Sequence, residues 1–192
     1  MLDSEKMQEV ELYYIKENCP VFTTFLNHSS EEIESIKQKI IKYREEYPKS
    51  NKSNVKAWHS DYNTFERVDY FHDINLRILN ECAQIINSFK KTKDGFRIRD
   101  MWANMYEKGD YTLEHRHCGC CYSCCFYVDV EENCSPIKFP PKLEIKPKND
   151  MLVLFAGNIT HEVLPTAGKR TLIALNIDSL NRRSATSYLN YS

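Results

Sequence analysis

From Phe96 onward the sequence breaks into short runs rich in β-branched and aromatic residues: "FRIRDMWANMY", "SCCFYVDV", "MLVLFAG", "HEVLP" and "RTLIALNI". Turn-forming stretches separate them, namely "KGD", "EENCSP", "KPKND" and "PTAGK". Gly, Pro, Asn and Asp gather there because they accept the backbone angles that a chain reversal demands. Strands this short satisfy their backbone groups only by pairing with one another. The C-terminal half is therefore expected to form a sandwich or barrel, with the jelly roll as the best-known small version.

The first half has a different period. "SSEEIESIKQKIIKYREEYP" (29–48) opens on Ser29, a suitable N-cap, with Glu32 three residues later, the signature of a capping box. Ile33, Ile36, Ile40 and Ile41 follow at helical spacing, and Pro48 marks the stop. A second helix is expected over about 70–90, burying Ile74, Leu76, Ile78, Leu79, Cys82, Ile85 and Ile86. "VELYYI" (10–15) reads as a strand-like lead-in. Helices followed by strands, without βαβ alternation, make the class α+β, with the helices bracing one outer sheet. At 192 residues the chain suits a single domain: 1–95 as mainly helical support and 96–180 as the jelly-roll core.

The formal net charge of −1 argues against a broad electrostatic grip on nucleic acid or anionic lipid. "FKKTK" (89–93) is short enough to be a solvated helix end. The opening "MLDSEKMQEVE" has no apolar core of a secretory signal, and no stretch approaches the roughly 18 consecutive apolar residues of a membrane span. A soluble, cytoplasmic protein is expected, with its eight cysteines mostly reduced.

"EHRHCGCCYSCC" (114–125) holds the chemistry. Residues two apart on a strand share a face, so His115 and His117 project together while Glu114, Arg116 and Cys118 project oppositely. Two imidazoles so placed can grip one cation, and His161, opening a later strand, can complete a facial triad that leaves positions open for substrate. The same His-x-His spacing also occurs on ordinary surface and core strands. Further on, Arg170 leads a strand on which Arg170, Leu172, Ala174 and Asn176 share one face and Thr171, Ile173, Leu175 and Ile177 the other. A buried arginine needs an anionic partner, and a carboxylate suits its fork; an exposed strand-end arginine needs none.

Taken in order, "KAWHS", "WANMYEKGDYTLEHRH", "YSCCFYVDV", "MLVLFAGNITHEVLP" and "KRTLIALNI" resemble the Fe(II)- and 2-oxoglutarate-dependent oxygenases. They are most similar to the small bacterial and phage-type branch, over about Trp58 to Ile177. The resemblance implies a double-stranded β-helix of cupin-like build. It implies iron ligands at His115, His117 and His161, and Arg170 on the distal carboxylate of 2-oxoglutarate. It also makes Asn104 and Tyr106, which share a strand face, partners of the cosubstrate or its pocket. The implied activity is hydroxylation by O2 of a C–H bond in a peptide side chain or small metabolite, releasing succinate and CO2.

Three positions depart from that pattern. His117 stands where the wider superfamily has Asp or Glu, and neither Glu114 nor Asp110 is placed to substitute. Three neutral imidazoles leave Fe(II) its full double charge, which a 2-oxoglutarate dianion would balance. Leu172 stands where related enzymes often carry Ser, and Cys124 where the branch tends to have Gly.

Cys118, Cys120, Cys121, Cys124 and Cys125 include CxC and CxxC spacings that zinc sites use. Cys124 and Cys125 fall on opposite faces of a strand, however, so space-filling by reduced thiols is the expectation. Cys19, Cys82 and Cys134 are expected to be isolated, and His28, His59 and His72 to play structural roles, although His59 sits where it can line a pocket mouth. Segments 16–30 and 131–142 are candidates for a lid. Three other readings stay open: a three-His cupin-like metal enzyme that does not use 2-oxoglutarate, a non-enzymatic module holding zinc through its thiols, and a folded oxygenase relic without turnover.

Overall fold

The computed structural model describes residues 9–15, 19–49, 54–62, 64 and 69–181. Its strands are β1 (Glu11–Tyr14), β2 (Pro20–Phe25), β3 (Val55–Lys56), β4 (Trp58–His59), β5 (Phe96–Tyr106), β6 (Tyr111–His115), β7 (Tyr122–Val130), β8 (Ile137–Phe139), β9 (Leu143–Ile145), β10 (Met151–Ala156), β11 (His161–Val163) and β12 (Arg170–Ser179). The helices are α1 (Ser30–Glu46) and α2 (His72–Lys90). A seven-stranded sheet in the order β1-β2-β10-β7-β12-β5-β4 faces a five-stranded sheet in the order β3-β6-β11-β8-β9. Every strand pair among the described residues is antiparallel. The architecture is α+β, a double-stranded β-helix with bracing helices.

The larger sheet is buried on both sides. Its outer face meets α1 and α2 in a core that includes Ile40, Tyr43, Ile78, Cys82, Phe126, Ile173 and Leu175. Its inner face meets the smaller sheet around Trp102, Tyr127, Phe139, Val153, Phe155 and Leu172. Each fully buried Ile or Phe contributes on the order of 1.5–3 kcal/mol by leaving water, so two such layers hold the sheet rigid. The α1 capping box forms as expected. The Ser29 hydroxyl accepts from the Glu32 N–H at 3.2 Å, and the Ser29 N–H donates to Glu32 Oε2 at 2.7 Å.

Several expectations change. The first 95 residues supply four strands as well as helices, and β2 lies between β1 and β10 inside the larger sheet. Residues 20–25 are therefore sheet and not lid, because Val21 and Phe22 fill the core. Residues 16–18 of that candidate lid lie outside the described residues. In the other candidate lid, Ile137–Phe139 is the paired strand β8. Leu76 is 42% exposed, since it falls off the buried stripe of α2. Cys82 is not isolated: its thiol lies within hydrogen-bonding reach of Cys124, both fully buried between α2 and β7.

Candidate metal centre and anion pocket

The three central strands of the larger sheet set out the site in rows. Across β5, β12 and β7 the register aligns Asp100, Asn176 and Ser123, then Trp102, Ala174 and Cys125, then Asn104, Leu172 and Tyr127, then Tyr106, Arg170 and Val130. Alternation sends Met101, Ala103, Cys124, Phe126, Ile173 and Leu175 to the helices. The row residues face the smaller sheet, where β6 and β11 carry the histidines.

His115 and His161 are direct cross-strand partners. Moving from that pair, two residues along β11 (to Val163) match three along β6 (to Thr112), so β6 holds one extra residue. Such a bulge re-aims side chains. It is why Thr112 and His115, an odd number apart, both line the same cavity. His117 lies just beyond the end of β6, and not on the strand as expected. It is held there by its N–H donating to Gly157 O at 2.8 Å. The approach is close: a Cβ on Gly157 would stand 2.5 Å from Cys120 Sγ, 2.8 Å from Cys120 O and 3.0 Å from His117 O. Glycine at 157 is what lets the loop sit.

The three rings converge. Centroids are 4.3 Å apart for His115 and His161, 5.0 Å for His115 and His117, and 5.1 Å for His117 and His161. One nitrogen from each lies within 4.8 Å of the others, so a single ion can touch all three. Nδ1 of His115 is 2.8 Å from Leu113 O, and Nδ1 of His161 is 3.1 Å from Ile159 O. A carbonyl only accepts, so Nδ1 carries the proton in both rings and Nε2 keeps its lone pair for a ligand. Burial holds all three histidines below their ordinary pKa, well below for His161 and to about 4 for His117. They stand neutral at physiological pH, as metal ligands must.

Asp110 turns away and accepts from the Glu107 N–H at 2.8 Å, while Glu114 is exposed. Among the described residues no carboxylate completes the triad, and no cysteine group has metal-site geometry. All eight thiols are free. Burial raises those of Cys120 and Cys125 to about 12, which suits packing and opposes reactivity.

The same cavity, about 220 Å3, contains all six site residues expected from the sequence: His115, His117, His161, Arg170, Asn104 and Tyr106. Arg170 is 2% exposed. Its guanidinium lies 4.5 Å above the Tyr106 ring and 5.6 Å from that of Tyr127, and Nη1 donates to Ser135 O at 3.1 Å. Nε has no partner, and no carboxylate among the described residues pairs with the group. The Tyr127 hydroxyl beside it is also buried and unbonded. A lysine so placed could shed its proton; an arginine cannot. Asn104 is less available: turned to satisfy both ends, its amide accepts from Trp102 Nε1 at 3.3 Å and donates to Ala103 O at 3.2 Å. The Tyr106 hydroxyl is held by Thr112 Oγ1 at 2.5 Å.

His59, read from the sequence as structural but placed where it can line a pocket mouth, is 5% exposed and lines the cavity. It stacks on Trp102 with centroids 5.5 Å apart. Trp102, Ser123 and Cys125 line the cavity too and were missed. The signal for Trp102 was available, because it shares the strand parity of Asn104 and Tyr106.

Neither a family model nor a curated protein sequence matches the chain. Solved structures do. The viral collagen prolyl hydroxylase of Paramecium bursaria Chlorella virus-1, in a 2-oxoglutarate complex, is similar at TM-score 0.62 and 19% identity, over 82% of this chain and 94% of that one. The chain shares their fold. A prolyl-4-hydroxylase from Pseudomonas putida gives 0.58 at 15%, over 82% and 92%. A prolyl hydroxylase from Trichoplax adhaerens, in complex with a hypoxia inducible factor peptide fragment, gives 0.59 at 14%, over 90% and 87%. Identities this low speak for architecture alone. No helix among the described residues is long and apolar enough to cross a membrane.

Proposed function

We propose that the chain is a non-haem Fe(II)- and 2-oxoglutarate-dependent dioxygenase that hydroxylates a C–H bond. The observation that carries this reading is Arg170: a fully buried, permanent cation without a counter-ion among the described residues, in the cavity that also holds three converging imidazoles. Burying an unpaired ion costs several kcal/mol, which a bound carboxylate offsets. A dicarboxylate that reaches from a metal to Arg170 fits both ends of a space too small for a polypeptide.

In this reading His115, His117 and His161 hold the metal through neutral imidazoles. Arg170 grips the far carboxylate, with Tyr106 and Tyr127 supporting the guanidinium from their ring faces. Iron, when bound, supplies O2 activation, with 2-oxoglutarate as the two-electron donor leaving as succinate and CO2. The protein's own share is orientation and exclusion of water: Trp102, Leu172, Ala174 and Val163 make the wall between the two ends dry. With His117 in place of a carboxylate, the metal and a dianionic cosubstrate cancel to zero net charge. The solved enzymes of similar fold are named as prolyl hydroxylases. A peptide side chain is accordingly favoured as substrate over a small metabolite, and the chain as one domain with 96–180 as its catalytic core.

Anaerobic reconstitution tests this. We expect one Fe(II) per chain, 2-oxoglutarate binding, and slow succinate release on exposure to O2 without any prime substrate. His161→Ala should lose the iron. Arg170→Ala should keep the iron and lose 2-oxoglutarate. Iron and catalysis retained in Arg170→Ala would favour the three-His enzyme that does not use 2-oxoglutarate; thiol-dependent zinc would favour the binding module.

A further inference from the structure

A second cavity, about 390 Å3, adjoins the first and shares Tyr62, Arg116 and His117 with it. Its remaining walls include Arg99, Asp100 and Cys118. A ligand in the inner cavity thus meets the outer one at His117, on the side away from Arg170's strand end.

The floor where the two meet is aromatic. Tyr62 stands edge-on to Trp102 at 5.3 Å and to His59 at 5.3 Å, and Trp102 leans on His117 at 5.6 Å. That floor suits an apolar or ring-shaped residue. The rim is charged. Asp100 accepts from Asn176 Nδ2 at 2.9 Å and has Arg99 Nε at 3.8 Å. Arg99 also donates to Gly119 O, which fixes its guanidinium at the rim. Outside the cavity, Asp178 is occupied by Arg97 at 3.5 Å. Arg116 is exposed and makes no ion pair among the described residues. Two guanidiniums therefore face one carboxylate, already engaged, and the unmatched one, Arg116, sits where the two cavities join.

The geometry points to a polypeptide substrate that carries an acidic side chain beside the residue presented to His117, with Arg116 and Arg99 reading the acid and the Tyr62–Trp102–His59 floor receiving the target residue. The inference rests on the oxygenase reading only for what happens at His117. It favours a polypeptide because the outer cavity is open at the surface, so an extended chain can cross it while one side chain enters. Aspartate, glutamate and phosphoserine offer the same anionic chemistry to a guanidinium.

The test needs neither iron nor cosubstrate. Metal-free, fluorescently labelled full-length protein is applied to an immobilised array of random decapeptides, at about 50 mM salt so that surface charge is little screened. We expect peptides with Asp or Glu to be enriched about threefold or more over neutral ones, and those with Lys or Arg depleted; a phosphoserine subset shows which anion is preferred. Arg116→Glu should abolish the enrichment, and Arg99→Glu with Arg116→Glu should reverse it toward Lys and Arg. Arg97→Glu makes the same change in net charge outside the cavity and should leave the profile alone. A flat profile, no selective binding, or equal loss in Arg97→Glu would overturn the proposal. Succinate release in the reconstituted enzyme reports separately on the oxygenase reading, so either can fail alone.

Discussion

The two faces of the larger sheet are built from the same strands and are equally deep, yet they are made of different material. Toward the helices β7 and β12 present Cys124, Phe126, Val128, Ile173, Leu175 and Ile177. Toward the smaller sheet they present Ser123, Cys125, Arg170 and Asn176. The outer face is close-packed hydrocarbon whose only task is cohesion. The inner face holds a permanent charge and a buried tyrosine hydroxyl without a partner. It looks across the cavity at three neutral histidines carried by the smaller sheet and the loop after β6. A buried charge and an unpaired hydroxyl oppose folding unless a ligand arrives. The outer face supplies the stability that the inner face spends on a preorganised cavity.

Breaking the outer face should have the largest effect on the fold. Phe126→Ala removes a fully buried ring between α1, α2 and β7 and should cost about 3–5 kcal/mol in chemical denaturation. The inner face should behave oppositely. Arg170→Met keeps the bulk and removes the unpaired charge, so the ligand-free variant should unfold at the same denaturant concentration as the parent or a higher one, by up to about 1–4 kcal/mol. A loss of several kcal/mol there would mean that Arg170 is a structural prop, and the contrast between the faces would collapse.

Much of this contrast was legible in the sequence, and for a simple reason. Alternation along "RTLIALNI" separates Arg170, Leu172, Ala174 and Asn176 from Thr171, Ile173, Leu175 and Ile177 before any coordinates are known, and the observed sides follow it. The capping box at Ser29 and the boundaries of β5 were equally local matters. What escaped were features set by distant partners. "PVFTTF" has no turn signal or clear alternation to mark it as a strand, and only pairing with β10 and β1 makes it one. The bulge in β6 is a mismatch between two strands and is invisible in either alone. His59 gained its place because Trp102 lies parallel beneath it, a contact across 43 residues.

Gly157 offers a smaller and more pointed probe of where the two materials join. An alanine there meets Cys120 O and His117 O as well as a thiol, and backbone atoms cannot swing aside as side chains do. Overpacking should cost about 1–3 kcal/mol of stability. The diagnostic is metal affinity, read from Co(II) absorption. We expect it to fall by more than tenfold in Gly157→Ala, because the loop that carries His117 is the part that must shift. Unchanged affinity with reduced stability would place the strain in the outer packing instead.

The smallest expected effect, taken per pH unit, concerns the acid limb of stability in the metal-free protein. His117 is held near pKa 4 by burial first and by neighbouring His115 second, against 6.5 when unfolded. Between those values the unfolded chain binds a proton that the folded chain refuses. Stability should therefore fall as pH drops through the window from about 6.5 to about 4, and His117 should add no pH dependence above it. One proton limits the slope to at most about 1.4 kcal/mol per pH unit from this residue. His115 and His161 are shifted the same way and add to the acid-side loss. Because other groups titrate there too, the informative quantity is the difference between the parent and His117→Gln, measured by urea unfolding at several pH values. The variant should be the less pH-sensitive of the two across that window and indistinguishable in slope above pH 7. The opposite sign would mean that the folded cavity welcomes the imidazolium, and the inner face would then be a site for binding anions directly on charged histidines.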